Sequence, residues 1–168
     1  MKTLESGYDL GGNKLDGVPP SFAKGAVVSP CSESVDVQLA KMEQKIKAGA
    51  DFFQTQAVFE PEKFFSFMDK AKQFGVPVQL GIVIPKSAAM VQFMADHVAG
   101  ISVPQNMIDE LHADKEKTRA GITGVEIAAR IIRECKDHCQ GIHIMSLGWE
   151  KKVPDILKLA QISTAYSP

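Results

Sequence analysis

The sequence predicts an α/β fold built from parallel strands. Four short apolar segments typical of buried strands are separated by segments with helical periodicity. Strands that alternate with helices in this way favour parallel βαβ units with right-handed crossovers. Apolar residues run continuously through the strand segments, which is typical of strands buried on both faces. We therefore expect four parallel strands, near residues 25–29, 51–56, 78–84 and 141–147.

The segment before the first strand is predicted to be an irregular N-terminal arm, residues 1–24. It contains the turn signals Gly11-Gly12 and Asp16-Gly17, and Pro19-Pro20 disfavours a helix there. A partly disordered terminus is the alternative. Residues 25–168 are predicted to form one domain of (β/α) units.

The first two helices have clear boundaries in the sequence. Ser34 or Asp36 can cap the first helix, and Gly49 ends it. Pro61 suits the first turn of the second helix, which Gly75 ends. Each helix therefore fits between two of the predicted strands.

The second half of the chain is mostly helical between the third and fourth strands. Ser87 is predicted to cap a helix over 88–97. A long helical region follows over about 106–138, with a break near Ala113. A last helix is predicted over about 150–161.

Composition and length limit the class of protein. The chain has 168 residues, 45% of them hydrophobic and 23% charged, which is ordinary for a globular domain. A net charge of -1 gives no indication of nucleic-acid or membrane binding. The first ten residues lack the apolar core of a signal peptide. Three cysteines are too few for a disulfide framework, so a reducing, cytoplasmic location is expected.

The segment KIKAGADFFQTQ, residues 45–56, carries a family resemblance. It resembles the segment KxxAGAxxxxTQ of methylenetetrahydrofolate reductases, and the similarity extends from about Gly25 to about Leu147. The resemblance implies a flavin-dependent (β/α)8 barrel that uses NAD(P)H and FAD to reduce a folate-bound one-carbon unit. Such a barrel needs about 250 residues. The chain is therefore predicted to be roughly the second half of a TIM barrel.

Three residues are candidates for binding. Gln56 ends a predicted strand, where an amide can donate and accept hydrogen bonds, either to a ligand or to a nearby loop. The resemblance implies that Gln56 contacts folate. Lys45 and Lys41 share one helix face, which is often simply solvated, but the resemblance implies that Lys45 contacts the FAD phosphates. Ser29 ends the first strand, near where the family's flavin lies.

Other polar residues have less specific interpretations. Cys135, His138 and Cys139 have spacings that bring them near one helix face, but a fourth metal ligand is not evident, so no metal site is expected. His143, between two isoleucines, is predicted to be a hydrogen-bonded core histidine. Trp149 is predicted either to cover a ligand or to fasten the last helix.

The predicted function is a methylenetetrahydrofolate reductase-like reaction, and we expect the site for it to be incomplete in this chain alone. The resemblance places the family's proton-donating Glu on the first barrel strand and its flavin-tuning Asp on the fourth, and neither region matches this sequence. Whether the chain is itself an enzyme therefore stays open, and no catalytic residue is assigned. The alternative is a non-catalytic half-barrel that pairs with itself or with a separate N-terminal half. A truncated gene product would give the same sequence.

Overall fold

A computed structural model describes residues 1–163. The last five residues of the predicted domain, 164–168, lie outside the described residues. The strands are β1 Gly25–Val28, β2 Phe52–Ala57, β3 Val78–Val83 and β4 Gly141–Met145. The helices are α1 Lys2–Glu5, α2 Val35–Lys47, α3 Pro61–Ala71, α4 Ala88–His97, α5 Gln105–Ala113, α6 Lys115–Arg119, α7 Ile122–Cys135 and α8 Val153–Leu159. Short 3-10 turns follow α3 and α7 and precede α8.

The four strands form one parallel sheet in the order β1-β2-β3-β4. Val27 pairs with Gln54, Gln54 with Gln79, and Gln79 with Gly141, so one level of residues crosses the whole sheet. The parallel α/β prediction is confirmed, and each strand lies within two residues of its predicted ends. Within residues 1–163, β1 and β4 each pair with a single strand.

The two faces of the sheet are covered differently. Along β2, the buried residues Phe53, Thr55 and Ala57 alternate with the half-buried residues Phe52 and Gln54. The buried side packs against helix residues in one hydrophobic core. The expectation that both faces would be buried holds fully for one face only. The other face, called the open face below, carries the following residues: Gly25, Val27, Phe52, Gln54, Gln56, Gln79, Gly81, Val83, Gly141, His143 and Met145. On this face only Gly81 and Val83, both in β3, are buried.

Local side chains start the helices where the sequence predicts. The Ser34 hydroxyl accepts a hydrogen bond from the N–H of Val37 at 3.4 Å, so Ser34 rather than Asp36 caps α2. Ser87 caps α4 in the same way, through the N–H of Met90 at 3.1 Å. Both caps satisfy backbone donors that the first helical turn leaves unpaired.

The long helical region is divided twice. The first break falls at Asp114, next to the predicted position, and its carboxylate caps α6 through the N–H of Lys117 at 2.9 Å. The second break, at Gly121, was not predicted. Gly121 has a φ of +80°, and a Cβ there would lie 3.0 Å from the ring of Trp149.

The N-terminal arm is more ordered than predicted. It contains the one-turn helix α1 and an antiparallel bridge between Tyr8 and Lys14. The Glu5 carboxylate accepts hydrogen bonds from the Lys24 ammonium at 2.8 Å and from the N–H of Phe22 at 3.1 Å. These contacts hold the arm near the start of β1, away from the carboxyl ends of the strands.

Candidate functional site at the carboxyl ends of the strands

Strand β2 contains an irregularity beside the predicted ligand residue. Gln54 pairs with Gln79, but Ala57 pairs with Gly81. Between these two pairs the chain advances by three residues on β2 and by two on β3, so β2 contains a bulge. At this bulge the N–H of Gly81 donates to the hydroxyl oxygen of Thr55 at 2.8 Å. That hydroxyl in turn donates to the carbonyl of Gln56 at 2.8 Å. A side-chain hydroxyl thus replaces part of the regular ladder.

Gly81 is required by the close approach of the two strands. A Cβ at this position would lie 2.3 Å from the carbonyl oxygen of Thr55 and 3.1 Å from that of Gln56. No side chain fits at the first distance, so β3 can lie against the bulge only with glycine here. The open face consequently has no side chain next to Gln56 on β3.

Gln56 lies half-buried on the open face, on the opposite side of β2 from buried Thr55. Its side-chain amide has no hydrogen-bond partner among residues 1–163. Gln56 therefore does not hydrogen-bond to a nearby loop within residues 1–163, which was the alternative to ligand binding. A half-buried amide with free donors and an acceptor can recognise a polar ring edge.

The open face carries three further polar residues, and two of them, Gln54 and Gln79, were not singled out in the sequence. The amide of Gln54 donates to the side-chain oxygen of Gln79 at 2.9 Å, across the neighbouring strands. His143 pairs in register with Gly81 and is half-buried, and its imidazole has no partner in the described part of the chain. It is not the hydrogen-bonded core histidine that we predicted. The alternate spacing of polar residues in β2 and β3 was the available signal.

The two predicted flavin residues come together along the edge strand β1. The Lys45 ammonium donates to the carbonyl oxygen of Val27 at 2.5 Å. Ser29 follows two residues later, and its N–H donates to the side-chain oxygen of Gln38 at 3.3 Å. The Ser29 hydroxyl has no hydrogen-bond partner within residues 1–163. Gln56 lies on the adjacent strand β2, so all three candidates lie in the half of the sheet that contains β1 and β2.

The loop between α4 and α5 packs over Ser29. Gly100, with a φ of +82°, approaches so closely that a Cβ there would lie 2.7 Å from that of Ser29. The same loop is fastened by Ser102, which donates to the Glu60 carboxylate, and Lys63 donates to that carboxylate at 2.8 Å. Burial works to raise the pKa of Glu60, but these two hydrogen bonds outweigh it, and the pKa lies below its usual value.

The loop after β4 is held by several contacts. Lys86 donates to the carbonyl of Leu147, and its ammonium lies 5.2 Å from the centre of the Trp149 ring. Glu150 accepts from Ser146 at 2.6 Å, which lowers the pKa of its carboxyl. Because Trp149 packs against Gly121 at the start of α7, it fastens α8 to the rest of the domain.

The cysteines show no features of a reactive or metal-binding site. Burial raises the pKa of Cys31 to about 11 and that of Cys135 to about 12, which disfavours the thiolate form. Within residues 1–163, no three His, Cys, Asp or Glu side chains cluster as metal ligands. Nor is any helix in that part of the chain long and apolar enough to cross a membrane.

Comparison with known sequences identifies relatives. The family model described as methylenetetrahydrofolate reductase matches residues 15–161. The chain is 30% identical over 132 residues to Methylenetetrahydrofolate reductase 2 of Schizosaccharomyces pombe, covering 72% of this chain and 20% of that protein. It is 27% identical over 134 residues to a probable methylenetetrahydrofolate reductase (NADPH) of Caenorhabditis elegans, covering 77% and 20%. The chain thus spans about a fifth of the length of these relatives.

A solved structure shows the same fold. It is an uncharacterized protein from Clostridium thermocellum that binds two copies of 5-methyl-5,6,7,8-tetrahydrofolic acid. The TM-score is 0.58 and the sequence identity 23%, over 85% of this chain and 54% of that one. Together with the parallel sheet, this likeness assigns the chain to a partial TIM barrel.

Proposed function

The chain belongs to the methylenetetrahydrofolate reductase family, and we propose that it forms one side of a folate and flavin site. In the proposed reaction, a hydride from NAD(P)H and one proton convert 5,10-methylenetetrahydrofolate to 5-methyltetrahydrofolate. This chain's share is to bind and orient the reactants. No described residue is assigned as the proton donor.

The observation that carries the folate proposal is the free amide of Gln56 at the carboxyl end of β2. In (β/α)8 barrels, ligands bind at this end of the strands. An amide can pair with the cyclic amide edge of a pterin through one donor and one acceptor. The Thr55 hydroxyl bonds to the carbonyl of Gln56 and so fixes the backbone from which this amide projects.

Lys45 and Ser29 fit the proposed flavin. One of the three Lys45 N–H donors is used by Val27, which leaves two for phosphate oxygens. Ser29, the residue just after β1, adds a hydroxyl with no hydrogen-bond partner among residues 1–163. FAD, when bound, would carry the hydride from the nicotinamide to the folate. The residues of this chain would hold the diphosphate of FAD and one side of the flavin ring. A completed barrel would exclude water from the reacting atoms.

A second candidate function is assembly without catalysis. Within residues 1–163, β1 and β4 each have one free edge, and Val27 on the open face is 52% exposed. Free parallel edges and a partly covered face favour pairing with other strands. The partner is a second copy of this chain or a separate N-terminal half-barrel. Sedimentation velocity at micromolar concentrations tests the first arrangement, for which we expect a dimer. A stable monomer would contradict self-pairing.

The folate proposal is tested by titrating the isotope-labelled chain with 5-methyltetrahydrofolate under anaerobic conditions and recording backbone and side-chain amide NMR signals. NMR detects dissociation constants up to the millimolar range, so a site that is only half complete remains visible. We expect saturable shifts near Gln56 that Gln56→Ala abolishes. Gln92→Ala, at an exposed position of α4, is the matched control and should bind normally. Absence of saturable shifts in the unmodified chain would contradict the proposed function.

The proposed reduction is tested with a barrel completed by a co-expressed N-terminal half from a family member. We expect NAD(P)H-dependent formation of 5-methyltetrahydrofolate by the completed barrel. A cytoplasmic location remains a proposal, consistent with the three unpaired cysteines.

A further inference from the structure

The backbone of β1 presents hydrogen-bonding groups to both of its sides. The carbonyl of Lys24 accepts from the N–H of Asp51 at 2.7 Å, so every second residue from Lys24 to Val28 directs its backbone groups toward β2. The carbonyl of Val27 and the N–H of Ser29 are therefore directed to the outer edge of β1. Within residues 1–163, no strand pairs with that edge.

Side chains of α2 bond to both of these outer-edge groups. The Lys45 ammonium donates to the carbonyl of Val27 at 2.5 Å, and the side-chain oxygen of Gln38 accepts from the N–H of Ser29 at 3.3 Å. Gln38 and Lys45 are two helical turns apart, so they share one face of α2. Proteins often protect a free strand edge with a lysine. Helix α2 therefore closes an edge that another strand would use.

The outer edge of β4 is not closed in this way. The N–H of Gln140 donates to the carbonyl of Val78 at 3.0 Å, so the backbone groups of His143 and Met145 are directed away from β3. In the described part of the chain, no side chain bonds to these backbone groups. Closure by helix side chains thus distinguishes β1, the strand beside the two proposed flavin residues.

We infer that α2 keeps the β1 edge closed until a strand pairs there, and that this strand releases the Lys45 ammonium from Val27 to the diphosphate. The inference rests on the proposed function and adds a condition to it, because strand pairing and cofactor binding become coupled. A paired strand supplies a backbone N–H to the Val27 carbonyl in place of the ammonium. All three N–H donors of Lys45 are then available to phosphate oxygens.

The partner that fits this edge is a strand from the other half of the barrel. The chain covers 54% of the Clostridium thermocellum chain, so nearly half of that chain lies outside the match. A closed barrel of eight strands continues the parallel order beyond β1. The Val27 side chain, which is 52% exposed, would be covered by such a strand. A second copy of this chain is the other occupant, and the test distinguishes the two.

The test measures how tightly the chain pairs with a co-expressed N-terminal half from a family member, without FAD. The purified pair is diluted, and its dissociation is followed by sedimentation velocity. We expect Lys45→Met to tighten the pairing about two- to fivefold, because the added strand no longer displaces a hydrogen bond. Gln38→Ala, which uncovers the N–H of Ser29, should act in the same direction. The control Lys41→Met, equally exposed on α2, should leave pairing unchanged.

The same measurement with saturating FAD tests the release of the ammonium. FAD should tighten the unmodified pair, since a ligand that binds only the assembled form stabilises it. It should tighten the Lys45→Met pair less, because that variant has no ammonium to offer the diphosphate. Lys41→Met should respond to FAD as the unmodified chain does.

The outcomes separate this inference from the proposed function. If Lys45→Met loosens the FAD-free pair or leaves it unchanged, α2 does not close the edge and the inference is wrong. Equal tightening by FAD with and without the Lys45 ammonium would also overturn it. Homodimers in place of the mixed pair would identify a second copy as the occupant and contradict the partner proposed here. If the completed barrel binds no FAD, the flavin part of the proposed function falls together with the release of Lys45, whereas the FAD-free comparison still decides the closure.

Discussion

The hydroxyl of Thr55 accepts a hydrogen bond from the backbone N–H of Gly81 at 2.8 Å. Through this contact, a buried side chain on one strand supplies the acceptor that a regular ladder would take from the backbone. The same hydroxyl donates to the carbonyl of Gln56. One side chain therefore bonds both to the strand that faces the bulge and to the backbone of Gln56.

Replacing Thr55 should destabilise the domain. Thr55→Val keeps the shape but leaves the buried N–H of Gly81 without an acceptor, at a cost of about 1–3 kcal/mol in the free energy of unfolding. Thr55→Ser keeps the hydroxyl and should cost less. Urea unfolding followed by circular dichroism measures both. A larger loss for Thr55→Ser than for Thr55→Val would show that the methyl group matters more than the hydrogen bond.

The local elements of this fold were predictable, while the geometry around the site was not. Ser34 and Ser87 act within a single turn of their own helices, so their capping roles are visible in the sequence. The bulge depends on Thr55 meeting Gly81, 26 residues away along the chain. Likewise, no sequence pattern indicated that the Lys45 ammonium contacts Val27, since that contact joins a helix end to an edge strand.

The candidate site was predictable only in part, for a related reason. Gln56 and Lys45 were found through a family resemblance and a position near a strand or helix end. His143 was misread, because a polar residue between two isoleucines fits a buried strand as well as an open one. Which face of β4 is covered depends on where the helices pack.

The Glu60 carboxylate should contribute stability that depends on pH. Its pKa is lower in the folded chain than in the unfolded chain, so its contribution is present above about pH 4.5 and is lost as the pH falls through the lowered value. Because the group is partly exposed, we expect Glu60→Gln to cost about 0.5–1 kcal/mol at pH 7 and less at pH 3. Urea unfolding at both pH values measures this. Glu62→Gln, at an exposed position two residues later in α3, should show no such pH dependence.

Gln56→Ala should affect the two half-reactions of a completed barrel differently. Folate turnover should fall about 5- to 150-fold, which corresponds to about 1–3 kcal/mol of lost transition-state binding. Flavin reduction by the nicotinamide should change little, because that step needs no pterin recognition. Anaerobic stopped-flow spectroscopy separates the two steps. Equal losses in both would indicate a folding defect or a different role for Gln56.

FAD binding is predicted to need more than this chain. Lys45 offers a point charge without the two-pronged geometry of an arginine, so its contact with a diphosphate is modest. The flavin ring also needs walls on the side of β1 where the described residues place no strand. The chain alone should therefore purify colourless, or bind FAD more weakly than micromolar, and it should become yellow when an N-terminal half is supplied.

In that completed barrel, Lys45→Met should weaken FAD binding, and the loss should shrink as salt rises, because salt screens an exposed charge. Lys41→Met is the matched control: this lysine lies one turn earlier on the same helix, equally exposed, and should leave FAD affinity unchanged. Fluorescence quenching of FAD at several salt concentrations measures both. Tight, stoichiometric FAD on the 168-residue chain by itself would contradict the shared-site proposal and identify an autonomous flavoprotein, because the described side of the sheet would then suffice for the whole cofactor.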